Sequence, residues 1–234
     1  MRKTAIALLA LLLSAQTPQL SPAPGTQVHL VYRWGFNTEA EKPGPGTGTT
    51  TIDLLGPTPD GGVTVAATDW AWNTVRPRQT NVCILYANGR INCAQAPHAL
   101  SAVQLTILPL LAKGVWANLH AGSASTWEQR YSVTAAVLPA ATGQPFLSNP
   151  YTWDFVYTFK AQGAISGGGG AVLITSTGTF TQEGGYFRGS GQQKIAYDPA
   201  AGIPIAISDV RTHVPQRSVY SNDSVQAKLV SAGS

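Results

Sequence analysis

Four histidines, a scatter of carboxylates and two glycine-rich runs are the residues with which this chain could do chemistry. His29, His98, His120 and His213 lie far apart, and none falls in an H-E-x-x-H or a Cys/His metal spacing. They predict no metal site; His29, alternating with apolar neighbours, belongs on the outward face of a strand. Asp53, Asp69, Glu128 and Asp154 fall on predicted strands. A glycosidase-like pair needs two carboxylates roughly 5–10 Å apart across a cleft. Solvent-facing partners for Arg130 or Lys160 are the simpler reading. The run Ser166-Gly167-Gly168-Gly169-Gly170 lacks the Gly-Lys-Ser/Thr of a phosphate loop and opens no helix, so it reads as a hairpin connection. Gly189-Ser190-Gly191 is not G-x-S-x-G and lies inside a predicted strand, where it reads as a bulge or a flexible stretch. No catalytic residue, metal or cofactor is predicted.

Cys83 and Cys93 are the two cysteines of the chain. Asn88-Gly89 between apolar runs is a strong hairpin signal. A two-residue turn sets Cys83 opposite Ala94. A three-residue loop, Ala87-Asn88-Gly89 with Gly89 left-handed, pairs Tyr86 with Arg90 and Leu85 with Ile91, and brings Cys83 opposite Cys93. Close facing pairs suit a cross-strand disulfide, so the bulged hairpin and a Cys83–Cys93 bridge are expected. A redox-active pair is disfavoured, because the spacing is not C-x-x-C.

The elements that position these residues follow from alternation. In residues 151–160 every odd position is a ring (Tyr151, Trp153, Phe155, Tyr157, Phe159), and most even positions are polar. That is the period of a half-buried strand. Rings of roughly 150–250 Å² each must be covered, by the rest of the chain or by a ligand. Val28, Leu30, Tyr32, Trp34 and Phe36 share a face of a first strand. Residues 63–72 read as a strand whose phase slips, with a bulge expected near Ala67. A helix begins at Ser101, which with Gln104 forms a capping box. It is apolar over most of its surface, and Pro109 is expected to kink or divide it. From residue 151 onward the chain reads as a meander of long strands. The expected fold is mainly β: a long-stranded, curved antiparallel sheet, half-barrel or sandwich-like, with one short, proline-interrupted helix packed on it.

At the N-terminus, Arg2 and Lys3 precede a short apolar run and the small pair Ser14-Ala15, the layout of a secretory signal. The expected organisation is a signal peptide at 1–15, a flexible segment at 16–25, and one β-rich domain at 26–234. That domain carries two possible halves, 26–133 and 151–230. The apolar run is too short for a bilayer core of roughly 30 Å, so no transmembrane segment is expected after cleavage. Without Arg2 and Lys3 the 15 basic residues fall to 13 against 11 acidic ones, and the basic side chains are dispersed, so nucleic acid is not an expected partner. Export to a periplasm or the exterior follows.

The run Lys194-Ile195-Ala196-Tyr197-Asp198-Pro199-Ala200-Ala201-Gly202-Ile203-Pro204-Ile205 has a strand, Asp-Pro turn and strand cadence. In this and in its long C-terminal strands the chain resembles exported bacterial half-barrel β-proteins, the periplasmic lipoprotein carriers and lipid-binding lipoproteins. The leading helix of the carriers is missing. The resemblance is one of layout, carries over no functional residue, and implies a curved sheet folded over a helix with acyl chains held between. The leading expectation is a non-enzymatic binding or carrier protein for an apolar molecule or lipid, contacted by Trp153, Phe155, Tyr157, Phe159, Leu105 and Leu108. The alternative is a structural or protein-interaction module with a filled core and an envelope protein as partner; a secreted hydrolase ranks last. The two readings divide on what fills the space beside the rings of residues 151–159.

Overall fold

The computed structural model describes residues 28–38, 46–71, 79–97, 100–119, 125–135, 150–166, 169–183, 187–215 and 222–233. The segments expected to be a signal peptide and a flexible N-terminus lie outside these, as do His98, His120 and most of the connection between residues 134 and 150.

Eleven strands form one sheet: β1 (Val28–Thr38), β2 (Gly46–Pro57), β3 (Gly62–Ala71), β4 (Gln79–Tyr86), β5 (Arg90–Cys93), β6 (Thr126–Ala135), β7 (Tyr151–Ala164), β8 (Val172–Gln182), β9 (Phe187–Asp198), β10 (Ile203–Pro215) and β11 (Asn222–Gly233). Each strand pairs with the next in sequence, and β1 pairs with both β2 and β11, so the sheet closes on itself. This corrects the expected half-barrel or sandwich. Closure joins the first and last strands and leaves no edge to protect. The expected halves, 26–133 and 151–230, are parts of this one wall, joined where β6 pairs with β7.

One pair departs from the antiparallel rule: β5 and β6 run parallel, Ile91 opposite Val133. A parallel pair needs a long crossover. Here it contains the helix α1 (Ala102–Leu111) and a 3₁₀ turn, Lys113–Trp116. α1 touches β1, β4, β6, β10 and β11, which stand around the barrel, and every residue from Val103 to Leu111 is buried. The helix therefore lies inside the barrel and is not laid on a face. Its all-round apolar surface is what such a position requires.

Most of the large apolar side chains of the strands point inward, though buried polar side chains and exposed apolar ones occur as well. On β7, Phe155, Tyr157 and Phe159 are buried while Asp154, Thr158 and Lys160 are exposed. This is the reverse of a membrane-spanning barrel, whose apolar band faces out. The β2–β3 ladder has its bulge at Leu55, beside Gly56, and not near Ala67; Val65 and Ala67 keep one inward phase. The hairpin follows the three-residue loop. Leu85 faces Ile91, Gly89 takes φ +87° and donates to the Tyr86 carbonyl, and Cys83 and Cys93 are bonded with 4.4 Å between their Cα atoms. A loop this short contributes about 3 kcal/mol on the chain-entropy account.

Candidate functional site

α1 is held to the wall by two polar clusters. At its N-terminus, Ser101 caps the helix: its hydroxyl accepts from the Gln104 amide, and the Gln104 side chain accepts in return from the Ser101 amide. The Ser101 hydroxyl donates to Asp69 of β3 at 2.6 Å, and Thr50 of β2 donates to the other carboxylate oxygen. Gln104 also accepts from Asn81 and donates to the Ala67 carbonyl. Asp69, expected to face solvent, thus turns inward and fixes the helix start. Burial pushes its carboxyl above the usual range, against the hydrogen bonds from Ser101 and Thr50.

That shift sets a pH dependence. A carboxyl whose folded pKa is raised binds its proton first in the folded state, so stability rises as pH falls through the raised value, levelling off below about 3.8, the unfolded value. The gap in stability between the native protein and Asp69→Asn should therefore move in favour of the native protein on acidification. Urea titrations of both proteins at a series of acidic pH values measure it; a gap that moves the other way would mean the carboxylate is better satisfied folded than unfolded.

The second cluster explains an intact helix at Pro109. Pro109 does not divide the helix: α1 runs continuously from Ala102 to Leu111. A proline has no N–H, so the carbonyl four residues earlier, that of Leu105, loses its helical donor. Arg211 of β10 supplies one: its Nη2 donates to the Leu105 carbonyl at 3.2 Å. The same nitrogen is 2.7 Å from Asp209 and 3.2 Å from the Thr106 hydroxyl, which lies 2.8 Å from Asp209. Arg211 and Asp209 are both buried. Burial is the largest single influence on Arg211 and opposes its charge; the Asp209 carboxylate, with Tyr157 and Tyr131, together outweighs it and holds the guanidinium above its ordinary pKa. Oδ1 of Asp209, Nε of Arg211 and the Tyr157 hydroxyl are buried with no hydrogen-bond partner among the described residues. The Arg211 guanidinium lies 5.6 Å from the centre of the Phe155 ring, which links this cluster to the aromatic wall.

The six residues expected to contact a ligand lie in the same interior. Phe155, Tyr157, Phe159 and Leu108 are at most 1% exposed, Leu105 is buried, and Trp153 is half-buried. The rings meet other rings: Phe155 stacks on Tyr131 at 4.9 Å, Phe159 on Trp127 at 5.5 Å, and Trp153 packs against Phe180 at 5.9 Å. Trp116, from the 3₁₀ turn, stacks on Tyr197 at 4.2 Å and meets Phe159 edge-on at 5.8 Å. The Tyr157 ring extends over Gly191 on β9, where a Cβ would overlap its hydroxyl. Gly191 is therefore a seat for a ring and not a bulge or an elbow; β9 and β10 stay in register there.

The remaining candidates for chemistry disperse. His29 pairs outside the barrel with Asp53, its cross-strand neighbour, at 2.5 Å. Glu128 meets Arg130 at the surface at 3.1 Å, and Asp154 faces outward. Among the described residues, no three His, Cys, Asp or Glu side chains come together as a metal site.

The outer wall carries a second feature, one that no run of sequence announces. Where β8, β9, β10, β11 and β1 lie side by side there is a depression of about 740 Å³. Gly35, Ala196, Ala206 and Ser208 lie low in it, and the longer Leu173 and Val230 stand exposed beside them. A sheet face with short side chains in its middle and long ones around them is concave. Two ladder irregularities bend the wall here, at Val230 between β1 and β11 and at Ile205 between β9 and β10.

No protein-family model matches the chain, and no curated protein is similar enough to count as a match.

Proposed function

We propose that the protein is an exported, non-enzymatic binding protein for an apolar ligand, and that the ligand is taken on the outer wall of the barrel, with the interior serving as scaffold. The observation that carries this reading is the contrast between the two surfaces. The rings of β7, expected to be either packed core or the wall of a lipid-sized cavity, are in contact with Tyr131, Trp127, Phe180 and one another. α1 is tied into the same interior through Asp69, Asp209 and Arg211. A ligand between sheet and helix would have to break these ties. The outer depression needs no rearrangement, falls in the size range of small-molecule sites, roughly 300–1,000 Å³, and offers aliphatic surface that water now covers. The disulfide is of the kind that exported proteins carry, and it supports the reading of the N-terminal segment as a signal.

An alkyl probe bearing a photoactivatable diazirine tests the placement. Peptide mapping after illumination should find saturable adducts on β1 and β8–β11. Adducts on α1 or β7 would return the ligand to the interior, and the absence of any saturable adduct would overturn the binding function.

A further inference from the structure

The ties between α1 and β10 leave part of their own chemistry unused. The ion pair of Asp209 and Arg211, and its contacts to the helix, run through two atoms: Oδ2 of the carboxylate and Nη2 of the guanidinium. Oδ1 of Asp209, Nε of Arg211 and the Tyr157 hydroxyl meet no hydrogen-bond partner among the described residues. All three side chains are more than nine-tenths buried. A buried polar atom without a partner costs stability, so three of them in one place call for a cause.

One row of the sheet brings them together. Tyr157 of β7 stands opposite Gly178 of β8, Gly178 opposite Gly191 of β9, and Gly191 opposite Arg211 of β10. The two glycines leave the middle of this row bare on the inside. The Tyr157 side chain lies along it: a Cβ on Gly178 would run into the ring, and a Cβ on Gly191 into the hydroxyl. The phenol is thereby carried over β8 to the residue that pairs with Arg211. Asp209 is two residues along β10, buried on the same inward face. Both groups reach the phenol. Burial pushes it up, the Asp209 carboxylate pushes it further, and the Arg211 guanidinium draws it down. The hydroxyl is thus beside both, yet meets neither at full hydrogen-bonding geometry.

The three groups are complementary to a single small guest. Nε–H can only donate, Oδ1 can only accept, and a phenol hydroxyl does either. The guest must accept from Arg211 and donate to Asp209. It must be neutral, because an anion would lie against the carboxylate and a cation against the guanidinium, each stripped of its hydration. It must also be small, since the rings of Phe155 and Tyr131 pack against Tyr157 and the Arg211 guanidinium lies over Phe155. A buried water typically makes about three hydrogen bonds to groups that lack other partners.

We infer that the barrel interior contains a binding site for one water molecule, which accepts from Nε of Arg211, donates to Oδ1 of Asp209 and bonds the Tyr157 hydroxyl. Through this water β7 joins the cluster by which β10 holds α1. The site is independent of the outer depression and of any ligand there.

Two magnetic-resonance measurements on the disulfide-bonded protein test it. The first looks for cross-peaks between the Arg211 Nε proton, resolved by isotope-labelled arginine, and the water resonance. Laboratory-frame and rotating-frame Overhauser peaks of opposite sign identify a water that tumbles with the protein. The second is relaxation dispersion of the water oxygen, which counts such waters and is blind to proton exchange. The cross-peak should be present. The dispersion amplitude should exceed by about one water that of the variant combining Asp209→Leu with Arg211→Met. Tyr157→Phe keeps the ring on its glycines and removes one bond of three. The cross-peak should persist in it, and the water should exchange about tenfold faster. A cross-peak that vanishes in Tyr157→Phe while the oxygen amplitude stays unchanged comes from the phenol proton and overturns the site. The absence of any water peak at Arg211 in the native protein also overturns it, and means that the hydroxyl bonds the carboxylate or the guanidinium directly. So does an equal amplitude in the native protein and the double variant. A shift of the Arg211 Nε resonance when chloride replaces sulfate in the buffer would make the guest an anion and overturn the water.

Discussion

Arg211→Met should destabilise the barrel by about 3–5 kcal/mol, the cost of leaving one member of a buried ion pair without its partner. The side chain that replaces it is long and apolar, so the loss is not one of volume. It has three parts. Asp209 stays buried with its counter-charge gone. The Leu105 carbonyl, already without a helical donor because residue 109 is proline, loses the donor that Arg211 supplies. The Thr106 hydroxyl loses a neighbour on the same face. Urea unfolding followed by tryptophan fluorescence measures the total, and two further variants separate the parts. Asp209→Leu combined with Arg211→Met should recover most of the loss, because a buried pair replaced as a whole by apolar groups is often neutral or better. Pro109→Ala in the Arg211→Met background should recover a further part by returning an N–H to the Leu105 carbonyl. If Pro109→Ala helps the native protein as much as it helps the variant, Arg211 is not the substitute donor.

The parts of this fold that could be read in the sequence are those fixed by near neighbours. The Cys83–Cys93 hairpin is one, because a loop of Ala87-Asn88-Gly89 sets the register of the few residues on either side. The capping box at Ser101 is another, as is the inward phase of residues 151–159. Closure was not legible. It depends on β1 pairing with β11, the two ends of the described chain, and alternation specifies only which face is buried and not which strand lies alongside. An open curved sheet and a closed barrel produce the same period of two. The place of α1 inside the barrel was half legible: its apolar surface called for burial on all sides, but a sheet expected to be open offered only one.

Pro109 shows why local rules fail at a tertiary contact. Within the helix it removes a hydrogen bond, and the sequence alone argues for a break; the donor that repairs the defect comes from β10, about a hundred residues later. The inward placement of Asp209 and Arg211 did have a signal, since both share the parity of Ile207 on one strand. Asp69 had the same signal, sharing the parity of Val65 and Ala67, and was read as solvent-facing because it is charged. The outer depression had no comparable signal. Gly35, Leu173, Ala196, Ala206 and Ser208 are dispersed along the chain and become neighbours only through the registers of five strands.

Trp116→Ala should lower stability by about 3–5 kcal/mol, the range for removing a large aromatic side chain from a core, and its unfolding should remain a single transition. Trp116 stands in the 3₁₀ turn that follows α1, yet its ring stacks on Tyr197 of β9 and meets Trp127 of β6 and Phe159 of β7 edge-on. Its Nε1 donates to the Leu110 carbonyl at 2.7 Å, in the last turn of α1, and the Trp127 Nε1 donates to Val115 beside it at 2.9 Å. One side chain therefore joins the end of the helix to three strands. Removing it leaves a cavity among the rings of Trp127, Phe159 and Tyr197, and leaves the Leu110 carbonyl without its donor. Trp116→Phe keeps most of the volume and loses only the hydrogen bond, so about 1–3 kcal/mol is expected for it. The measurement also bears on where a ligand binds. If α1 were a plug that leaves the barrel to admit an acyl chain, weakening its attachment at Trp116 would release it at low denaturant, seen as an early loss of near-ultraviolet circular dichroism from the rings ahead of the strand signal. Two separate transitions would favour that interior site, and one transition at lower denaturant would tie the helix to the barrel as a single cooperative unit, as the proposed use of the interior as a scaffold requires.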